Sequence, residues 1–237
     1  MRYITTATLF ALACALAQPA SAQLEDKPVL MTKAPFHVPM FSNDYVTMLS
    51  INIPPGRDTG FHTHFADSTT VNFSPAIRTN QVYDSPEISA PSVGQPVPGR
   101  VSFNNVTENG QYTHKASNVG PTPFRGISAL LKDREMAGPP VSDRSDVAGY
   151  AGVLDNKRVR AWRVILEPGE RTGQITQTAP GWRVYVRGGV VDELVPGSAP
   201  RGMAVADGDF MWQDAGQTRA VKNTGSTVIE FVEYELK

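Results

Sequence analysis

The chain has 237 residues, with 22 Lys plus Arg against 23 Asp plus Glu, a formal net charge of −1 and no basic run. This excludes nucleic acid as a partner, since neutralising phosphates needs a concentrated cationic face, and 41% hydrophobic with 19% charged residues excludes a disordered chain. Glycine and proline make about one residue in six, which favours short strands and turns over a helical bundle, and the scarcity of histidine (four) and cysteine (one) makes their positions informative.

Arg2, the apolar run over residues 4–17 and the Ala20-Ser21-Ala22 site read as a signal peptide over residues 1–22, cleaved after Ala22. The run is too short to span a membrane and no other stretch qualifies, so an exported protein, periplasmic or secreted and without a membrane span, is expected. Cys14 lies inside this segment; a lipoprotein acceptor is the alternative reading of it, although Ala11 stands where such sites usually carry Leu. With Cys14 removed no thiol remains, which excludes disulfides, thiolate catalysis and Cys-ligated metals.

A β-branched run over residues 45–53 predicts a strand stopped by Pro55-Gly56. His62 and His64 follow two apart on a second strand, so both rings leave the same face. Asp67 is the only acid near them, and Ser68, Thr70 and Asn72 alternate on the stretch that follows, sharing one face if it is extended. Pro86, Pro91, Pro96 and Pro98 exclude a central strand over residues 84–100. His114 opens another strand-like segment that ends at Asn118, and Gly138-Pro139-Pro140 marks a joint. Strand-like runs then recur over 159–166, 182–186, 208–212 and 228–236, and no window shows a helical period.

The two halves are related. Pro55-Gly56-x-x-Thr59-Gly60-x-x-Thr63 recurs as Pro168-Gly169-x-x-Thr172-Gly173-x-x-Thr176 at an offset of 113, and His114-x-x-x-Asn118 as Arg219-x-x-x-Asn223 at an offset of 105. The first copy therefore holds eight extra residues between the blocks, which the proline content places in 84–100. A tandem duplication of two all-β jelly-roll units is expected, with domains at 26–135 and 136–237; whether the copies exchange their first strands stays open.

Gly56-x5-His62-x-His64 and His114-x3-Asn118, in this order in a duplicated all-β chain, resemble the two motifs of the cupin superfamily, and more narrowly the exported two-domain cupins that include quercetin-dioxygenase-like proteins. The resemblance covers nearly all of the mature chain and implies two tandem cupin-type β-barrels, a double-stranded β-helix in each half. It places His62, His64 and His114 on metal-ligand positions. The family's Glu position falls on Ser68 or Thr69, so no carboxylate fills it; Asp67 reads first as a turn residue capping its own backbone, with replacement of the Glu as a fourth ligand, through a turn or bulge, as the lesser alternative. In the second copy the ligand positions carry Ile175, Gln177 and Arg219, a set unsuited to a divalent cation, so the domain at 136–237 is expected to be degenerate and metal-free. It would pack against the first and shape the site entrance, with Arg219 and Arg183 binding an anion as the lesser alternative.

Three neutral imidazoles suit a divalent transition metal, Fe first, with Mn, Ni, Cu, Co or Zn open. The resemblance implies a metal-dependent oxidoreductase, a dioxygenase on a small, anionic, chelating organic substrate; Ser68 and Asn72, from the strand alternation, and Tyr112 are pocket-lining catalytic candidates, and Arg78 is a further residue that could reach the pocket. A non-catalytic metal or small-ligand binding protein and a metal-dependent isomerase or lyase are the alternatives, and a homodimer is open to it. Asn118 reads as structural, and His37, which matches no motif position, as an edge or interface residue.

Overall fold

The computed structural model describes residues 27–92, 97–133 and 142–237; the leader segment 1–22 with Cys14, Pro96, the Gly138-Pro139-Pro140 joint and the boundary at 135–136 lie outside them. In the first half the strands are β1 (Val29–Leu30), β2 (His37–Ser42), β3 (Val46–Ile53), β4 (His62–His64), β5 (Ser68–Asn72), β6 (Arg78–Val82), β7 (Val101–Asn104), β8 (Tyr112–Asn118) and β9 (Phe124–Leu131). In the second half they are β10 (Ala151–Asp155), β11 (Val159–Leu166), β12 (Ile175–Thr176), β13 (Gly181–Arg187), β14 (Gly189–Leu194), β15 (Arg201–Val205), β16 (Phe210–Gln213), β17 (Thr218–Asn223) and β18 (Ile229–Leu236).

Sheet order repeats from half to half. Strands β2-β3-β9-β5-β7 form one five-stranded sheet and β10-β11-β18-β13-β16 the other; β1-β4-β8-β6 and β12-β17-β14-β15 are the four-stranded partners. Each five-stranded sheet with its four-stranded partner makes a jelly-roll barrel, so the fold is all-β and duplicated, as the sequence predicts. Among the described residues β1 pairs with β4, β2 with β3 and β10 with β11, each within its own half, so no first strand is exchanged there.

The residues shared by the two copies are framework. Pro55-Gly56 and Pro168-Gly169 make the turns after β3 and β11, with the glycines at φ 69° and 86°. The Thr59 hydroxyl accepts from Ala116 N at 3.0 Å, and the Thr172 hydroxyl from Val221 N at 3.0 Å. Asn118 Nδ2 donates to the carbonyls of Ile53 and Thr122, while its Oδ1 accepts from Gly120 N; Asn223 does the same with Leu166, Thr227 and Gly225. Asn118 is thus the structural residue expected, satisfying buried loop backbone that would otherwise lack partners.

Register locates the eight extra residues. The offset between the halves is 113 where Ser68 matches Gly181, 109 where Asn104 matches Gln213, and 105 where His114 matches Arg219. Four of the eight therefore fall between β6 and β7, inside the proline-rich stretch, and four between β7 and β8, a correction to the placing of all eight in 84–100. The second group corresponds to a one-turn helix, α1 (Val106–Asn109), capped by the Asn105 side chain on Glu108 N and ended by Gly110 at φ 83°.

Three apolar clusters hold the molecule. One lies inside the first barrel (Met31, Leu49, Ile51, Ile53, Phe124 and Leu130 among others) and one inside the second (Trp162, Val164, Tyr185, Val221 and Phe231 among others). The third joins the barrels where the five-stranded sheets meet: Val46, Met48, Ile127 and Leu131 pack with Val159, Trp182, Val232 and Tyr234. Trp182 stacks on Tyr234 at 4.6 Å, and Tyr45 of the first half stacks on Trp212 of the second at 5.8 Å. A large apolar junction of this kind fixes the two barrels as one body. It also accounts for β18, all eight of whose residues are buried: Ile229, Phe231, Glu233 and Glu235 face the barrel interior, and Glu230, Val232, Tyr234 and Leu236 face the junction.

Candidate metal centre

Strands β4 and β8 are antiparallel neighbours, with His62 opposite His114 and His64 opposite Tyr112. The two-residue period keeps His62 and His64 on the inward face of β4, and the register sets His114 beside them. Gly60, at φ 59°, turns the chain into β4. His62 and His64 are buried and His114 is partly buried; their ring centroids lie 4.6 to 5.1 Å apart.

Each of the three offers one ring nitrogen within 4.8 Å of the others. The Nε2 atoms of His64 and His114 face each other at 3.0 Å. Two nitrogens bound side by side to one ion at about 2.1 Å lie about 3 Å apart, so this spacing suits a shared metal. His62 Nδ1 donates to Gly60 O at 3.2 Å, which fixes its tautomer and leaves the Nε2 lone pair for the site. His64 is oriented by stacking, with the Tyr112 ring parallel to it at 4.5 Å. Burial, followed by the neighbouring imidazoles, lowers the ring pKa of His62 to about 4, of His64 to about 3 and of His114 to about 2. All three are neutral bases at ordinary pH, the form that ligates a metal.

The histidines open onto a cavity of about 270 Å³. Of the pocket candidates, Asn72 and Tyr112 line it. Ser68 shares the face of β5 with Thr70 and Asn72 but does not line the cavity; it is buried and accepts from Asn104 Nδ2 at 3.4 Å. Asp67, the lesser candidate for a fourth ligand, is engaged elsewhere. Its carboxylate is buried at the junction, where it accepts from Thr107 N at 2.8 Å, Thr107 Oγ1 at 2.9 Å and Arg158 Nη1 at 2.9 Å, tying α1 to the second barrel.

Two cavity residues escape the motif reading. His37 stands on β2, the edge strand of its sheet, yet its side chain is buried, lines the cavity, and has its ring 5.0 Å from His62, with Nδ1 donating to Pro35 O at 3.0 Å. Strand β2 has the reverse of the usual pattern, with Val38 and Met40 exposed and His37 inward, so hydrophobic alternation gives the wrong face. Arg78, on β6, also lines the cavity, and its guanidinium lies over the Phe124 ring at 4.3 Å.

In the second barrel the matching place is filled by charge. Ile175 stands opposite Arg219 as His62 does opposite His114. Arg144, Arg183 and Arg219, all buried, converge on Glu233 and Gln177: Arg183 Nε donates to Glu233 at 2.7 Å, and Arg144 and Arg219 each donate to Gln177 Oε1 at 3.0 Å. Burial alone would raise the Glu233 carboxyl, but Arg183, Arg219 and Arg144 hold it far below the carboxylate range.

No family model and no curated protein sequence matches the chain. Solved structures do. AerE from Microcystis aeruginosa is 12% identical over 86% of this chain and 98% of its own, with a TM-score of 0.52. The Mn(II)-containing oxalate decarboxylase of Bacillus subtilis is 10% identical over 81% of this chain and 69% of its own, with a TM-score of 0.50. A cupin domain from Bordetella pertussis Tohama I is 22% identical over 44% of this chain and 99% of its own, with a TM-score of 0.35. The first two likenesses concern the fold: the chain is built as two tandem cupin-type jelly-roll barrels.

Proposed function

We propose that the chain is a metal-dependent oxidoreductase, a dioxygenase acting on a small chelating organic anion, with one divalent ion held by His62, His64 and His114. The observation that carries this is the set of three neutral imidazoles, each with a nitrogen within 4.8 Å of the other two, at the wall of a cavity that no carboxylate lines. Iron is the first choice of metal, with Mn, Ni, Cu, Co and Zn compatible with the same nitrogen set. Three uncharged ligands leave a bound ion its full double charge, so an anionic chelator is the ligand it favours.

When bound, a redox-active ion supplies the activation of dioxygen and of the chelated substrate. The protein's part is positional. His62 is held by Gly60 and His64 by Tyr112, so the ligand nitrogens are set before any ion arrives. Ile51, Ile53 and Phe124 line the apolar side of the cavity and keep bulk water from a reactive substrate. The Tyr112 hydroxyl, raised to about 12 by burial, stays protonated and can donate a hydrogen bond to an anion.

A lyase, specifically a decarboxylase, is the second reading, favoured by the fold shared with the oxalate decarboxylase. Metal analysis of the parent beside His62→Ala tests the centre; equal stoichiometric metal in both would overturn it. With metal present, oxygen uptake against catechols, diketones, flavonols and small acids supports the dioxygenase, carbon dioxide release without uptake supports the lyase, and neither leaves a binding protein. Export to the periplasm or beyond is part of the same proposal, resting on residues 1–22.

A further inference from the structure

We infer that Arg78 is a specificity-determining residue that binds a carboxylate of the substrate, so that the site takes small organic acids anchored at one end by Arg78 and at the other by the metal. The metal end rests on the function proposed above; the arginine end does not.

Buried arginines elsewhere in the chain are neutralised by carboxylates. Arg144, Arg183 and Arg219 are each paired with Glu233, and Arg144 also with Glu235. Arg78 differs. Its Nε is buried and has no hydrogen-bond partner, its guanidinium forms no ion pair among the described residues, and no carboxylate lines the cavity it faces. An arginine cannot discard its proton to relieve this, so its charge persists in a partly desolvated place. Phe124 presents a flat ring beneath the guanidinium at 4.3 Å, which holds the planar fork and leaves its edge to a ligand. Arg100 is a further positive charge close by.

The neighbours of Arg78 suit a carboxylate. Tyr112 and Asn80 line the same cavity and bring hydroxyl and amide donors. A guanidinium fork matches a carboxylate in two parallel hydrogen bonds, which a catechol or a neutral diketone cannot reproduce. Size narrows the class further. A cavity of about 270 Å³ lies below the range of about 300–1,000 Å³ typical for drug-sized ligands, so 2-oxo acids, 2-hydroxy acids and short dicarboxylates fit better than three-ring flavonols. The second barrel shows what happens when the anion is internal: there Glu233 fills the place and the interior is closed by its own side chains.

Calorimetric titration of the full chain, metal-loaded and metal-free, with pyruvate, lactate and malonate, and with methyl pyruvate as the uncharged control, tests this. The parent should bind at least one acid, and Arg78→Gln should weaken it about tenfold or more while leaving methyl pyruvate unchanged. Arg78→Lys should retain part of the affinity. Arg78→Gln should also melt at or above the parent's temperature, because it removes a partly buried cation that has no ion-pair partner among the described residues; a purely structural arginine would lower it. Acid binding unchanged in Arg78→Gln, acid and ester bound alike, or no acid bound by the parent would each overturn the inference. Failure of the metal reading is separable: if the parent holds no metal yet binds acid through Arg78, the anion site stands alone, and if metal binds while Arg78→Gln changes nothing, only the arginine assignment falls.

Discussion

Where the first barrel carries His114, the second carries Arg219, and the consequence runs through each interior. In the first, neutral imidazoles surround a cavity of about 270 Å³. In the second, Arg144, Arg183 and Arg219 close on Glu233. The turns, the threonine that accepts from a buried amide, and the asparagine that holds the loop after the eighth strand are the same in both. Residues kept in both copies therefore report on folding, and residues that differ at matched positions report on chemistry. Gly60 and Gly173 refine the rule: the first is at φ 59°, whereas a Cβ on the second would meet Val147 at 2.7 Å. One residue type has been retained for two physical reasons.

The comparison can be broken most severely at Glu233. Replacing it by Gln leaves buried guanidinium charge unmatched and should destabilise the chain by about 3–5 kcal/mol in chemical denaturation. The Glu233 carboxyl titrates far below its unfolded value, so its contribution is complete above a pH of about 4.3 and fades as pH falls below that. Stability measured against pH should therefore drop in acid for the parent, with a shallower slope in Glu233→Gln. A stability loss below about 1 kcal/mol would mean that the network is not integral to the fold.

In the first barrel the effect should fall on metal rather than on folding. His62→Ala and His114→Ala should lose stoichiometric metal and lose the rise in melting temperature that added metal gives the parent, about 2.7 kcal/mol at a hundredfold excess over the dissociation constant. Metal-free parent and variants should unfold at similar denaturant concentrations. Arg219→His should gain no metal, since Ile175 and Gln177 remain beside it.

The shared framework predicts symmetry. Asn118→Ala and Asn223→Ala each strand buried carbonyls, and each should cost about 1–3 kcal/mol with metal content unchanged. Unequal losses would show that the matched loops are not energetically equivalent. The smallest effect is expected for Asp67→Asn, about 1 kcal/mol, because its partner Arg158 is partly exposed. Metal content in that variant should equal the parent's; a loss would restore Asp67 as a ligand.

Much of this was legible from residues alone. The spacing of His62, His64 and His114, repeated as Ile175, Gln177 and Arg219, located the site and its absence in the second copy, because strand period and motif order act locally. His37, Arg78 and the arginine network were not legible in the same way. His37 lies on a strand whose apolar residues face outward, and nothing in the motif order shows that Arg78 turns into the cavity. The burial of the three β18 carboxylates is likewise set by the arginines the fold brings to them. Asp67 is near the pair in sequence yet faces Arg158 across the junction.

The sequence by itself determined the all-β class, the duplication, the framework turns and the three-imidazole set, since each depends on short-range geometry or on identity between copies. Tertiary structure decided which charges meet: among the described residues Glu233 finds three arginines, Asp67 finds one, and Arg78 finds no carboxylate. That outcome depends on contacts between strands far apart in the chain, where Coulomb energy and desolvation are set by what the fold places nearby rather than by any neighbour in sequence.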